Sequence, residues 1–154
     1  MPRIAFTAID LSERSLEIAR KRASVYKLTN ISFVHANVEE LAAILPATRY
    51  DLVYSFGVVH HTPHPETALR QMLSFLAPGG TLKLMVYHRY SWKAFSVVMS
   101  YGRGAFWNLD RIIAQHSEAQ EGCPVTYVYT KRQLQALIEG AGCRIQELFV
   151  DHIF

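Results

Sequence analysis

The sequence is short of cysteine, of dense charge of one sign and of long apolar runs. Its only cysteines are Cys123 and Cys143. Two thiols so far apart form neither a zinc-ligand pattern nor a disulfide framework, so a reducing cytoplasm is the expected setting. The longest apolar stretches fall far short of the ~20 residues that a membrane span needs. Met1-Pro2-Arg3 leads straight into an apolar segment, so no secretory leader is expected. Sixteen Lys and Arg against 13 Asp and Glu leave a net charge of +3. That is too little to call for nucleic acid or an anionic membrane as a partner. The densest basic run, Arg20-Lys21-Arg22, lies within a helical pattern and reads as a solvated face.

What is present is apolar material for a core. Half of the 154 residues are hydrophobic and 19% are charged, a composition that excludes disorder. One domain over 1–154 is expected, with 91–120 as a helical insertion over the sheet.

The order of elements is legible from periodicity and punctuation. Ile4–Ile9 is a short apolar run that ends at Asp10, the mark of a buried strand. Ser12 is an N-cap, and Leu16, Ala19 and Ala23 recur at helical spacing. Ile31–His35 is a second strand. A short helix over Glu39–Leu45 is stopped by Pro46. Tyr50–Phe56 is a third strand, rich in β-branched and aromatic residues. Pro65 opens a helix with Ala68, Leu69, Met72 and Leu76 on its apolar face, and Pro78-Gly79-Gly80 supplies turn chemistry after it. Thr81–Tyr87 is a fourth strand. Gly122–Val125 reads as a loop. Thr130 and Gln133 form a capping box for a helix to Glu139. Gly140 and Gly142 end that helix, and Arg144–Val150 is predicted as a fifth strand. Strands and helices alternating in this way predict an α/β fold built on a mainly parallel sheet with helices on both faces.

In such sheets ligands bind beyond the carboxyl ends of the strands. The first strand ends in Asp10, an acid suited to accept hydrogen bonds from both hydroxyls of a ribose; Asp before an N-cap Ser is equally ordinary helix-start chemistry. The second runs into Asn37 and Val38, where an amide and a backbone N–H suit the edge of an adenine. The third ends in Ser55-Phe56-Gly57, and glycine there lets backbone approach a ligand closely.

Taken in order, Asp10-Leu11-Ser12, Tyr50-Asp51-Leu52-Val53, Gly57-Val58-Val59-His60-His61-Thr62-Pro63 and Leu76-Ala77-Pro78-Gly79-Gly80 resemble the successive motifs of class I, Rossmann-like methyltransferases. Tyr129-Thr130 and Ala141-Gly142-Cys143 are similar to that family's late helix and strand. The resemblance implies S-adenosylmethionine as cofactor and a small-molecule methyl acceptor. It implies a cofactor-binding set of Asp10, Leu11, Asn37, Val38, Ser55, Phe56 and Gly57. Asp10 would hold the ribose, Asn37 with Val38 the adenine, and Ser55, Phe56 and Gly57 the methionine part. The family more often carries Asp at the Asn37 position; Asn keeps an acceptor and loses the charge. His60 and His61 would face the acceptor, and His61 or His88 is a candidate base; loop hydrogen bonding is the alternative role for both.

The family's Gly-rich loop, with its strand and helix, is not matched by any residue here, and a final strand is also expected to be missing. By the family's strand order, the absent strand lies between those ending at Asp10 and Phe56. Self-association through the incomplete sheet is therefore the alternative expectation, with the chain acting as a catalytically incomplete folding or association module. A nicotinamide-dependent oxidoreductase that uses Asp10 for ribose explains fewer of the motifs. His60-His61-Thr62-Pro63-His64 is a Pro-broken loop without helical His spacing, so no metal site is expected. Tyr127 and Lys131 echo the Tyr-x-x-x-Lys of short-chain dehydrogenases, but Thr130 as N-cap puts Tyr127 before the helix. The aromatics Tyr87, Tyr90, Trp92, Phe95, Tyr101, Phe106 and Trp107 line a substrate cavity or pack over the sheet.

Overall fold

The computed structural model describes residues 4–116 and 125–150. The chain divides into two compact units, Met1–Thr48 and Arg49–Phe154.

The first unit is a βαβ motif. Strand β1 (Phe6–Asp10) is followed by helix α1 (Glu13–Val25) and strand β2 (Ile31–His35). The strands pair in parallel, from Phe6 opposite Ile31 to Asp10 opposite His35. Ser12 starts α1 as its sequence position predicts: its hydroxyl accepts the Ser15 amide at 3.2 Å. Glu13 in the first turn suits the helix dipole and pairs with Arg20 at 2.7 Å. The hydrogen bond from that guanidinium holds the Glu13 carboxyl below its ordinary pKa. Leu16 and Ala23, two turns apart, are the buried face of α1, and α1 packs on both strands. After β2, a 3-10 turn at Val38–Glu40 leads into α2 (Leu41–Ile44). Leu45 is already extended, because the residue before Pro46 is driven out of the helical region.

The second unit repeats the parallel motif. It runs through β3 (Tyr50–Phe56), a 3-10 turn at Val59–His61, α3 (Pro65–Ser74) and β4 (Leu76–Met85). Leu52 lies opposite Thr81 and Phe56 opposite Met85. Leu76, expected on the helix face, instead starts β4 opposite Tyr50, and the register shifts before Thr81. The Pro78-Gly79-Gly80 turn is thus accommodated as a bulge within the strand. Only glycine fits at Gly80, where a Cβ would stand 2.9 Å from the Ala77 carbonyl oxygen and 3.1 Å from that of Asp51. Helix α3 buries Ala68, Leu69 and Met72.

Helices α4 (Trp92–Gly102) and α5 (Leu109–His116) fill most of 91–120, as the helical reading of that stretch expects; 117–120 lie outside the described residues. Ala94, Val98, Leu109, Ile112, Ile113 and Val128 form their shared core. Of the predicted loop, 122–124 also lie outside. Thr130 caps α6 (Lys131–Gly140) with the capping box in full: Gln133 N–H meets the Thr130 hydroxyl at 3.2 Å, and Thr130 N–H meets the Gln133 carbonyl at 2.9 Å.

One element differs from expectation. Arg144–Val150 forms no strand. Its alternating pattern suits a half-buried strand, but a strand exists only with a hydrogen-bonded neighbour, and none pairs with it among the described residues. Among those residues no helix is long and apolar enough to cross a membrane.

Candidate functional site

The strand ends of the first unit bring four of the predicted residues together. Asp10 closes β1, and its backbone carbonyl accepts the Ala36 amide at 3.1 Å. Asp10 and Asn37 therefore sit at the ends of neighbouring parallel strands. The Asp10 carboxylate is exposed, and its Oδ1 accepts the Ser12 amide at 2.8 Å. The Leu11 carbonyl accepts a hydrogen bond from His35 Nε2 at 2.7 Å, and the Leu11 side chain is exposed. Asn37 has a structural task that its resemblance role did not include. Its Oδ1 accepts the Glu39 amide at 3.0 Å and so caps the 3-10 turn that Val38 begins. An amide oxygen carries two lone pairs, so capping occupies only part of its accepting capacity.

In the second unit Ser55, Phe56 and Gly57 end β3. Ser55 is 5% exposed, and its hydroxyl finds no hydrogen-bond partner among the described residues. Phe56 is half exposed and stacks on Tyr54. Gly57 has φ of +73°, a left-handed conformation that an L side chain adopts only with strain. Space is not its constraint, since a Cβ there would meet nothing closer than Met85 Cε at 3.8 Å.

The turn after Gly57 carries His60 and His61. His60 is fully buried, its ring centroid 4.0 Å from that of His61 and 4.1 Å from that of Tyr87. His61 meets Tyr87 edge-on at 5.5 Å. Lys93 Nζ donates to the Tyr87 hydroxyl at 2.7 Å and lies 4.0 Å from that ring's centroid. His88, just beyond β4, meets Tyr90 edge-on at 5.8 Å and bridges in parallel to Tyr129. The rings of His61 and His88 thus have different neighbours.

A segment that sequence reasoning missed, 125–129, runs along these elements. Tyr127 N–H donates to the His60 carbonyl at 2.8 Å, Tyr129 N–H to the Tyr87 carbonyl at 2.9 Å, and Arg89 N–H to the Tyr129 carbonyl at 2.9 Å. His61 Nδ1 lies 3.2 Å from Thr126 Oγ1 and 3.3 Å from the Val125 carbonyl oxygen. No local motif marks Thr126 or Lys93; the His61–Thr126 contact spans 65 positions. Tyr127 precedes α6 and directs its hydroxyl at the Pro63 carbonyl, so Tyr127 and Lys131 do not share a helix face. Burial pushes the Tyr129 phenol up to about 12, with Tyr127 and Glu66 adding to the effect.

The predicted aromatics divide in two. Tyr87 packs against the α4–α5 core, whereas Tyr90, Trp92, Phe95, Tyr101, Phe106 and Trp107 are exposed. Beside Tyr87, Ser91, Lys93 and Val128 lies a cavity of only about 10 Å³, enough for about one water molecule. Among the described residues no group of His, Cys, Asp or Glu is arranged to hold a metal ion.

Comparison with known proteins identifies what this arrangement is similar to. Residues 1–82 match a family model described as a methyltransferase domain. The ubiquinone biosynthesis O-methyltransferase of Leptothrix cholodnii is 36% identical over 81 residues, 53% of this chain and 34% of that protein. The malonyl-[acyl-carrier protein] O-methyltransferase of a Paenibacillus species is 31% identical over 81 residues, 53% of this chain and 29% of that protein. The chain thus spans about a third of the length of these curated relatives. Among solved structures, a putative methyltransferase from Bacillus halodurans superposes with a TM-score of 0.66 over 92% of this chain and 54% of that one, at 21% identity. That likeness establishes the Rossmann-like α/β fold.

Proposed function

Because this chain belongs to the methyltransferase domain family, we propose that it takes part in methyl transfer from S-adenosylmethionine to a small-molecule acceptor. The observation that carries this reading is the parallel pairing of β1 with β2, which sets Asp10 and Asn37 at adjacent carboxyl ends. That is where parallel sheets bind nucleotides. The residues suit the cofactor chemically. The Asp10 carboxylate commits Oδ1 to Ser12 and has a second oxygen to accept from ribose hydroxyls. Leu11 flanks it, and Asn37 with the Val38 backbone meets the adenine edge. The Ser55 hydroxyl, without a hydrogen-bond partner among the described residues, and the left-handed Gly57 backbone suit the polar methionine part, with Phe56 beside them. When bound, the cofactor supplies a methyl group already activated on a sulfonium. The chain therefore has to bind, orient and exclude water. In this reading His61 or His88 takes the proton that an acceptor hydroxyl gives up.

A cytoplasmic setting, and an acceptor that is neither nucleic acid nor membrane, belong to the same proposal. They are supported by the +3 net charge and the sparse cysteine. The test is calorimetric titration of the chain with S-adenosylhomocysteine, the product form of the cofactor. Saturable binding is expected. A folded chain that binds none would overturn the proposal.

One observation favours a second reading, in which the chain is an association module. Among the described residues each sheet has two strands, so each of those strands is an edge, and two-stranded sheets are marginally stable alone. Phe6, Leu52, Tyr54 and Phe56 on those strands are at least half exposed. Sedimentation over a range of concentrations separates the two. Self-association without cofactor binding supports the module; a monomer that binds cofactor excludes it.

A further inference from the structure

We propose that His35 positions the Asp10 carboxylate, acting through the peptide unit that joins Leu11 to Ser12, and holds it more firmly when the imidazole is protonated. The proposal rests on the methyl-transfer reading for its functional meaning and on geometry for the coupling itself. His35 Nε2 lies 2.7 Å from the Leu11 carbonyl oxygen. A carbonyl oxygen only accepts, so Nε2 carries the proton and donates. On the far edge of the same peptide unit, the Ser12 N–H donates to Asp10 Oδ1 at 2.8 Å. A peptide unit is rigid and planar. Holding its carbonyl therefore sets the direction of its N–H, and with it the carboxylate that the N–H engages. In the methyl-transfer reading the other oxygen of that carboxylate meets the ribose, so His35 is a positioning residue that acts through Asp10.

With Nε2 committed, a second proton on the ring goes to Nδ1. That nitrogen lies 3.8 Å from Glu13 Oε2, an ion-pair distance. In the neutral ring Nδ1 turns a lone pair toward the carboxylate; in the imidazolium it turns a positive N–H. Arg20 holds Glu13 Oε1 at 2.7 Å. That hydrogen bond, with His35 adding to it, keeps the Glu13 carboxyl below its ordinary pKa. Glu13 is therefore charged in the range where imidazoles titrate. Strand β2 packs against α1 and β1. From α1, Glu13 and Arg20 face His35, the Arg20 guanidinium lying 5.8 Å from the centroid of Phe33 on the same face of β2. From β1, Asp10 is its register partner. A charged donor makes a stronger hydrogen bond than a neutral one, and hydrogen bonds in a chain polarise one another. Protonating His35 thus tightens its bond to Leu11 and, through the peptide, the bond from Ser12 to Asp10. The His35 and Glu13 side chains are about half exposed, so the gain is that of a solvent-screened pair.

Two measurements on the full chain, made from pH ~8 down to pH ~5.5, test the proposal across the imidazole range. Nitrogen–proton NMR without cofactor follows the Ser12 amide. Its proton should move downfield as His35 gains its second proton. It should move far less in His35→Gln, which keeps an N–H donor for Leu11 and does not titrate. Calorimetric titration with S-adenosylhomocysteine reads the consequence. Wild-type affinity should rise about two- to fivefold as pH falls, the size expected of a screened pair, and His35→Gln should lose that rise. His35→Leu, without a donor, should bind about two- to tenfold more weakly than His35→Gln. A Ser12 amide that ignores pH in the wild type, or that shifts alike in His35→Gln, overturns the proposal. So does equal affinity in all three proteins. A Ser12 shift that follows His35 in a chain that binds no S-adenosylhomocysteine sinks the cofactor reading alone and leaves the coupling of His35 to Asp10 in place.

Discussion

The Asp10 carboxylate turns back on its own chain, with Oδ1 accepting the Ser12 amide at 2.8 Å. It therefore helps open α1 and is fixed in direction at the end of β1. Two functions on one side chain can be separated. Asp10→Asn keeps an acceptor for Ser12 and loses the charge; Asp10→Ala loses both. Hydrogen bonds to charged groups contribute about 1.5–3 kcal/mol. Asp10→Ala should therefore weaken S-adenosylhomocysteine binding by about 10- to 100-fold, with Asp10→Asn in between, as measured by calorimetry. Equal affinity in all three proteins would remove Asp10 from the ribose role.

Gly57→Ala should destabilise the chain by about 1–2 kcal/mol, the cost of a left-handed L residue. The added methyl has room, so the penalty is conformational. Gly57→Asn should lose less, because Asn tolerates that region. Urea unfolding midpoints of the three proteins check the order. An Ala variant as stable as wild type would mean that Gly57 relaxes to negative φ.

Thr130→Ala removes half of the capping box on α6 and should cost about 1 kcal/mol. In a chain of this size that lowers the melting temperature by about 2–4 °C. Thr130→Ser should melt with wild type. Thermal denaturation followed by circular dichroism gives the answer.

Tyr129 makes stability depend on alkaline pH. Burial raises its phenol to about 12 in the folded chain, above the ~10 of an exposed tyrosine. The folded state thus holds the proton more tightly than the unfolded state. The stabilisation is fully present below pH ~10 and is lost as pH rises from there through the folded value. Stability should fall across that window in the wild type and fall less in Tyr129→Phe. Unfolding midpoints at stepped pH, with tyrosinate absorbance, measure it. Equal slopes would place the titration on other tyrosines.

The features legible in the sequence are those set by neighbours along the chain. Ser12 and Thr130 announce their helices because a cap is made within three residues. The strand ends at Asp10 and Phe56 follow from short β-rich runs. Leu76 was harder. Periodicity continues the α3 face to it, but pairing with Tyr50 outweighs that pattern. Arg144–Val150 shows the limit from the other side, since an alternating pattern does not supply a partner strand. The His61 environment was out of reach for the same reason. Val125 and Thr126 become its neighbours only when 125–129 aligns along His60 and Tyr87, and nothing local in 125–126 encodes that contact.

Each unit closes its own helix-linked parallel ladder, and this has a consequence for how the chain opens. Met1–Thr48 buries Leu16, Ala23, Ala36 and Leu41, whereas Arg49–Phe154 buries Leu69, Met72, Phe75, Val98, Ile112 and Ile113 among others. Less buried apolar surface means a smaller free energy of local opening. The amide protons of β1 and β2 should therefore exchange with solvent deuterium as one faster tier, and those of β3, β4 and the α4–α5 pair as a slower one. The smaller unit, which carries Asp10, would be the part of the molecule that breathes first.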